Sequence, residues 1–186
     1  MAVYVTGDCH GEWRKLRLFS VQQNLTEDDF IIVCGDFGIW DDSDGRERKA
    51  LNKLAEIRPT VVFVSGNHEN FDRLYSNEFE TIDFHGGKAQ RIGRNVYHLL
   101  RGYVFDFCEL PTEEEMNFGK EMLAANNNQV DFIISHCCPK QVAAVFSCGL
   151  YKADRLTSYF DEIMENTKFI RWYFGHYHDD RVILGK

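Results

Sequence analysis

Eight polar residues of the kind that bind metal or move protons each stand just after a short apolar run: Asp8, His10, Asp36, Asn67, His68, His136, His176 and His178. Five of the seven histidines fall in this set, so the imidazoles are concentrated at one kind of place in the chain. Asp8 and His10 are two positions apart, as are His176 and His178. In extended backbone, residues i and i+2 point the same way, so each pair is expected to converge on one point. Carboxylates, imidazoles and an amide oxygen suit hard-to-borderline divalent ions such as Mn²⁺, Fe²⁺, Zn²⁺ or Co²⁺. The set exceeds what one ion in an open site requires. Two ions sharing one carboxylate would use it.

The stretch 60–69 shows how the chain delivers such residues. Thr60, Val61, Val62, Phe63 and Val64 read as a buried strand, and Ser65-Gly66-Asn67-His68-Glu69 ends it abruptly. Gly66 is expected to free the backbone for the turn. Ligand sites in open α/β sheets form outside the carboxyl ends of strands. The same arrangement recurs at 3–5 before Asp8, 30–34 before Asp36, 131–135 before His136 and 168–174 before His176. Helical periodicity lies between, over 13–23, 46–57 and 155–165. Pro59 closes the second of these helices. Thr112 with Glu115 forms a capping-box signature for a helix reaching 125. The β-α-β-α-β alternation over the first 65 residues predicts parallel strands with right-handed crossovers. Short strand candidates then follow at 79–84, 88–92, 95–99 and 102–107, with Gly86-Gly87 and Gly93-Arg94 at turns. They read as hairpins of a second sheet, with one last strand at 181–184.

Composition narrows the classes. The chain has 186 residues, 44% hydrophobic and 27% charged, which suits one globular domain over 1–186. No apolar run approaches the roughly 20 residues that span a bilayer, so no membrane partner is expected. Residues 1–5 lack the basic start of a signal peptide and read as a first strand. The net charge of −8 argues against long nucleic acid, whose phosphates attract basic surfaces. Six cysteines, at 9, 34, 108, 137, 138 and 148, show no secreted disulfide spacing, so reduced thiols and a cytoplasmic location are expected.

Taken together, Asp8-Cys9-His10, Gly35-Asp36, Gly66-Asn67-His68-Glu69, Ser135-His136 and Gly175-His176-Tyr177-His178 resemble the five motifs of the metallophosphoesterase (calcineurin-like phosphoesterase) superfamily, in the family order. The likeness spans residues 8 to 178. It implies an α/β fold, a metallophosphoesterase-like β-sandwich flanked by helices, here with a shortened second sheet. It also implies two divalent ions, Mn²⁺ foremost, with Fe, Zn, Co or Ni as alternatives. Asp8, His10, Asp36 and His178 would hold the first ion. Asp36, Asn67, His136 and His176 would hold the second, with Asp36 bridging. His68 would be the catalytic non-ligand that meets the leaving group. The implied reaction is phosphoester hydrolysis, as phosphatase or phosphodiesterase, by a hydroxide held between the ions.

The chain departs from the pattern in places. The family's second aspartate in motif two falls at Ile39, and Asp41 stands two positions later. The arginines that protein phosphatases of the superfamily carry after motifs two and three are displaced here to Arg46 and Arg73. That displacement weakens the protein-phosphatase reading, and the acidic net charge favours a small phosphorylated or nucleotide substrate. A second class, a scaffold that keeps the fold without catalysis, would have lost ligands or His68, and this chain keeps them. Cys9 and Cys137-Cys138 adjoin ligands and offer thiolates for zinc, although small neighbouring residues in a reduced protein are the blander account. Trp40, Phe71 and Tyr177 fit a substrate cleft or rim packing equally well. His85 and His98 read as surface or packing residues, and Glu69 as a candidate to orient His68. Too few strands follow 102 to complete a second sheet, and an open edge invites self-association; a homo-oligomer is one expectation.

Overall fold

The computed structural model describes residues 1–100, 112–147 and 151–183. The chain divides into two compact units, Met1–Leu100 and Arg101–Lys186. The first holds β1 (Val3–Thr6), α1 (Arg14–Gln22), β2 (Phe30–Val33), α2 (Arg46–Leu54), β3 (Thr60–Phe63), α3 (Phe71–Leu74), β4 (Glu80–Phe84), β5 (Gly87–Arg91) and β6 (Val96–Leu99). These strands make one six-stranded sheet in the order β1-β2-β3-β6-β5-β4. The first three strands and β6 run parallel, and β5 and β4 turn back antiparallel.

The hairpins therefore do not build a second sheet, as the sequence suggested. Val96–Leu99 pairs in parallel with β3 and draws β5 and β4 into the same sheet. The reason lies in burial. Val96 and His98 are fully buried beside Val61 and Phe63, an environment that a separate solvated hairpin would not supply.

The helices form where the apolar spacing placed them. Trp13, Leu16 and Ser20 turn inward at α1, and Leu51 and Leu54 at α2. Four rings stack through this core. Trp13 lies 5.0 Å from Phe37, Phe37 lies 4.3 Å from Phe63, and Phe63 lies 4.9 Å from His98, between ring centroids. The column joins the segment after His10, the segment after Asp36, β3 and β6. Truncating a buried phenylalanine such as Phe37 costs roughly 3–5 kcal/mol, so the core that holds the strands also holds the loops above them. Helix α3 went unread in the sequence because it is a single turn, capped by the Asn70 side chain, which accepts from the Arg73 amide.

The second unit holds α4 (Glu113–Ala125), β7 (Phe132–Ser135), α5 (Lys140–Ser147), α6 (Arg155–Asn166) and β8 (Arg171–Phe174). β7 and β8 pair in parallel as a two-stranded sheet, preceded by an isolated bridge between Gln129 and Lys168. The capping box of α4 is present: the Thr112 hydroxyl accepts from the Glu115 amide, and the Glu115 carboxylate accepts from the Thr112 amide. Asp154 and Thr157 cap α6 in the same reciprocal way. Helix α5 begins directly after Pro139, a helix start the sequence reading passed over. Residues 181–183, the described part of the strand expected over 181–184, carry no strand. The strand expected over 102–107 lies outside the described residues, as do Cys108, Cys148 and Leu184. Among the described residues, no helix is long and apolar enough to cross a membrane.

Candidate metal centre

In the first unit the parallel register sets the carboxyl ends of three strands level. Thr6 pairs with Val33, and Val33 with Phe63. The chain leaves β1 into Asp8, β2 into Asp36 and β3 into Asn67 on the same edge of the sheet. Backbone bonds then lace the three loops together. The Cys9 and His10 amides donate to the Asp36 carbonyl at 3.0 and 2.7 Å, and the Gly11 amide donates to the Phe37 carbonyl at 3.0 Å. The His68 amide donates to Asp36 Oδ1 at 2.8 Å.

Asp36 is therefore the junction. His10 Nε2 stands 3.8 Å from a carboxylate oxygen of Asp8 and 3.8 Å from one of Asp36. The Asp8 and Asp36 side chains are only 4% and 2% exposed, and a carboxylate oxygen of each lies within 4.8 Å of the other's. Two charges that close repel by about 3 kcal/mol or more at an effective dielectric of 20. Like-charged carboxylates sharing a buried site call for a cation. The donor set of two carboxylates and one imidazole fits a divalent ion of the hard-to-borderline class.

The convergence of Asp8 and His10 does not come from strand alternation. His10, Asp36, His176 and His178 all take positive φ, at 47°, 47°, 69° and 49°. Non-glycine residues rarely adopt this region, and they cluster at functional sites. The turn, not the pleat, aims these side chains.

Glu69 does not orient His68, as the sequence reading allowed. Its buried carboxylate accepts from the amides of Phe37 at 2.6 Å, Gly38 at 3.1 Å and Ile39 at 2.9 Å. Burial pushes its acid up to about 7, while those three N–H bonds pull the other way. Glu69 is a clamp on the segment that follows Asp36, and it was missed because its partners are backbone amides distant in sequence. Asn67 is half-buried and His68 exposed. The His10 and His68 rings meet edge to face, with centroids 5.4 Å apart.

The departures from the family motif acquire physical roles. Ile39 is fully buried in the core. Asp41 accepts from the amide and hydroxyl of Ser43 within its own turn. Arg46 pairs with Asp44, and Arg73 with Glu47, Glu78 and the Trp40 carbonyl. Both arginines are engaged in holding local structure. Cys9 is buried, which pushes its thiol up to about 12 and disfavours the thiolate that zinc would need. Cys9, Cys34 and Cys138 are buried and Cys137 is half-buried.

In the second unit, Ser135 pairs with Phe174, so His136 and His176 leave adjacent strand ends. The Gly175 amide donates to the His136 carbonyl at 2.9 Å. His136 Nε2 and His176 Nδ1 stand 3.2 Å apart. That distance is a hydrogen bond between the two rings, and it also matches the ~3.3 Å between two nitrogens bound to one ion at about 2.0–2.1 Å in a tetrahedral shell. The Trp172 indole donates to Ser135 Oγ at 2.8 Å, and Ser135 Oγ donates to the Cys137 carbonyl at 2.6 Å, which fixes the segment around His136.

Carboxylates and imidazoles at the carboxyl ends of parallel strands define an α/β protein with candidate metal ligands in each unit. A model of the family described as calcineurin-like phosphoesterase matches residues 1–180, and the chain belongs to that family. The family carries out metal-dependent phosphoester hydrolysis. Comparisons with curated proteins and with solved structures found no match.

Proposed function

We propose that the chain is a dinuclear-metal phosphoesterase in which both units act as one domain over 1–186. Asp8, His10, Asp36 and His178 would hold one divalent ion, as the family likeness implies. Asp36, Asn67, His136 and His176 would hold the other, and Mn²⁺ is the first candidate. The observation that carries this reading is the buried pair Asp8 and Asp36 with His10 at 3.8 Å from both. The 3.2 Å separation of His136 and His176 supports it from the second unit.

When bound, such ions polarise a phosphoryl oxygen and make a water nucleophilic near neutral pH. The chain's own residues do the rest. Asp36 holds the three loops in register through its carbonyl and Oδ1. Glu69 fixes the segment 37–39 behind it. His68 has its amide tied to Asp36, which leaves the exposed imidazole able to give a proton to a departing alkoxide. Proton transfer of this kind contributes typically 10²–10⁴-fold. The acidic net charge of −8 favours a small phosphorylated molecule or nucleotide over long nucleic acid.

The test combines metal content with turnover. Purified protein given Mn²⁺ is expected to hold two equivalents and to hydrolyse aryl phosphate mono- or diesters. His68→Ala is expected to keep the metal and to lose most rate on esters with poor leaving groups. No hydrolysis of any ester by the loaded protein would leave the scaffold reading standing. Equal losses across the leaving-group series would remove His68 from its role.

A further inference from the structure

Trp40 stands beside the first-unit cluster and is held more firmly than an exposed side chain needs to be. Its indole N–H donates to the His68 carbonyl at 2.7 Å. Its amide donates to Glu47 at 2.7 Å, and its carbonyl accepts from Asn70 Nδ2 and from Arg73 Nη1 at 3.2 Å. The six-membered edge of the ring lies against Gly11, 3.5 Å from where a Cβ on that residue would sit, and Gly11 directly follows His10. Every polar group of Trp40 is thus bonded, yet the residue remains 46% exposed. Phe71 and Tyr177, the other two aromatic candidates, are half-buried. Phe71 stacks on Tyr75, and Tyr177 bonds Cys138.

A tryptophan that is tied at its indole N–H and on both sides of its backbone, yet stays 46% exposed, has lost much of its freedom before any ligand arrives. A planar group that stacks on it would therefore incur little ordering cost. The ring is one hydrogen bond from the backbone of His68, the residue assigned to the leaving group. We propose that Trp40 is a specificity-determining residue whose ring stacks the base of a nucleoside phosphoester, making nucleotides the substrate class of this site. The inference rests on the phosphoesterase reading for its substrate, but its binding signature does not depend on turnover.

The experiment uses the full chain loaded with Mn²⁺ and two ligands with the same phosphorylated primary alcohol, adenosine 5′-phosphate and ribose 5-phosphate. Their difference is the base alone. Trp13 is buried and Trp172 half-buried, so quenching of intrinsic fluorescence by a stacked base reports chiefly on Trp40. Adenosine 5′-phosphate is expected to quench saturably and to bind by calorimetry roughly 5- to 150-fold tighter than ribose 5-phosphate, the range that base–aromatic stacking supplies. Trp40→Phe should abolish the quench and retain most of the preference. Trp40→Ala should bring the two affinities together. Both variants lack the indole N–H, so the contrast between them isolates the ring from the bond to His68. Equal affinities in the wild type would overturn the proposal, as would equal losses for both ligands in Trp40→Ala, which would make Trp40 a prop for His68 only. If Trp40→Ala does not fold, the wild-type ratio and the phenylalanine variant still decide. Stacking without hydrolysis of any phosphoester would instead remove the phosphoesterase reading and leave the base site standing.

Discussion

Substituting His98 by phenylalanine isolates a buried polar chain beneath the third motif. His98 is fully buried and pairs across the sheet with Phe63 on one side and Gln90 on the other. Its Nδ1 lies 2.9 Å from Gln90 Oε1, and its Nε2 lies 2.7 Å from Ser65 Oγ. The Gln90 amide nitrogen donates to the Leu74 carbonyl, so Gln90 Oε1 is an acceptor and His98 carries its proton on Nδ1. The Ser65 hydroxyl then donates to Nε2. Ser65 stands two residues before Asn67, so the chain runs from β5 through β6 to the candidate ligand loop. Phenylalanine keeps the ring volume and the stack on Phe63, but it takes one partner from the buried Gln90 carbonyl and one from the buried Ser65 hydroxyl. Each lost bond to a buried group costs about 1–3 kcal/mol. Ser65 keeps the Tyr75 hydroxyl at 3.4 Å, which places its share at the low end. The expected loss is about 2–4 kcal/mol in urea unfolding, with Tm falling roughly 5–15 °C for a chain of this length. A double-mutant cycle with Ser65→Ala should show coupling of at least ~0.5 kcal/mol, since their shared bond is lost only once. A loss below that figure, or strict additivity, would refute the relay.

Gly66→Ala is expected to abolish high-affinity Mn²⁺ binding, because a Cβ there would collide with Asp36 Oδ1 and the Asp36 amide; calorimetric titration showing wild-type affinity would contradict it. Glu69→Gln places an amide N–H₂ against the amides of Phe37 to Ile39, leaving at least one buried donor unanswered. At pH 5 it should lose about 1–3 kcal/mol of stability in urea and weaken Mn²⁺ binding through Asp36, and an unchanged urea midpoint would show that the clamp is dispensable; because burial raises the Glu69 acid from 4.5 to about 7, the wild type loses stability as pH rises through that window and the difference narrows.

The candidate ligands could be picked out of the sequence as candidates because each follows a strand, and strands announce themselves by local apolar runs. Asp8, Asp36 and Asn67 needed only that signal, and so did the family likeness. The parallel β1-β2-β3 order was equally local, since βαβ connections allow few alternatives. What tertiary structure decided was everything that depends on meeting a distant partner. The hairpins joined the first sheet because Val96 and His98 found buried places beside β3. Gly66 is glycine for lack of room beside Asp36, not to permit a turn. Glu69 holds the Asp36 loop through backbone amides some thirty residues away, and backbone amides leave no mark in a side-chain pattern. The left-handed turns at His10, His176 and His178 aim imidazoles that strand alternation would have aimed otherwise. Short-range order is written in the chemistry of neighbouring residues; the room, the donors and the angles at the site belong to segments that only folding brings together.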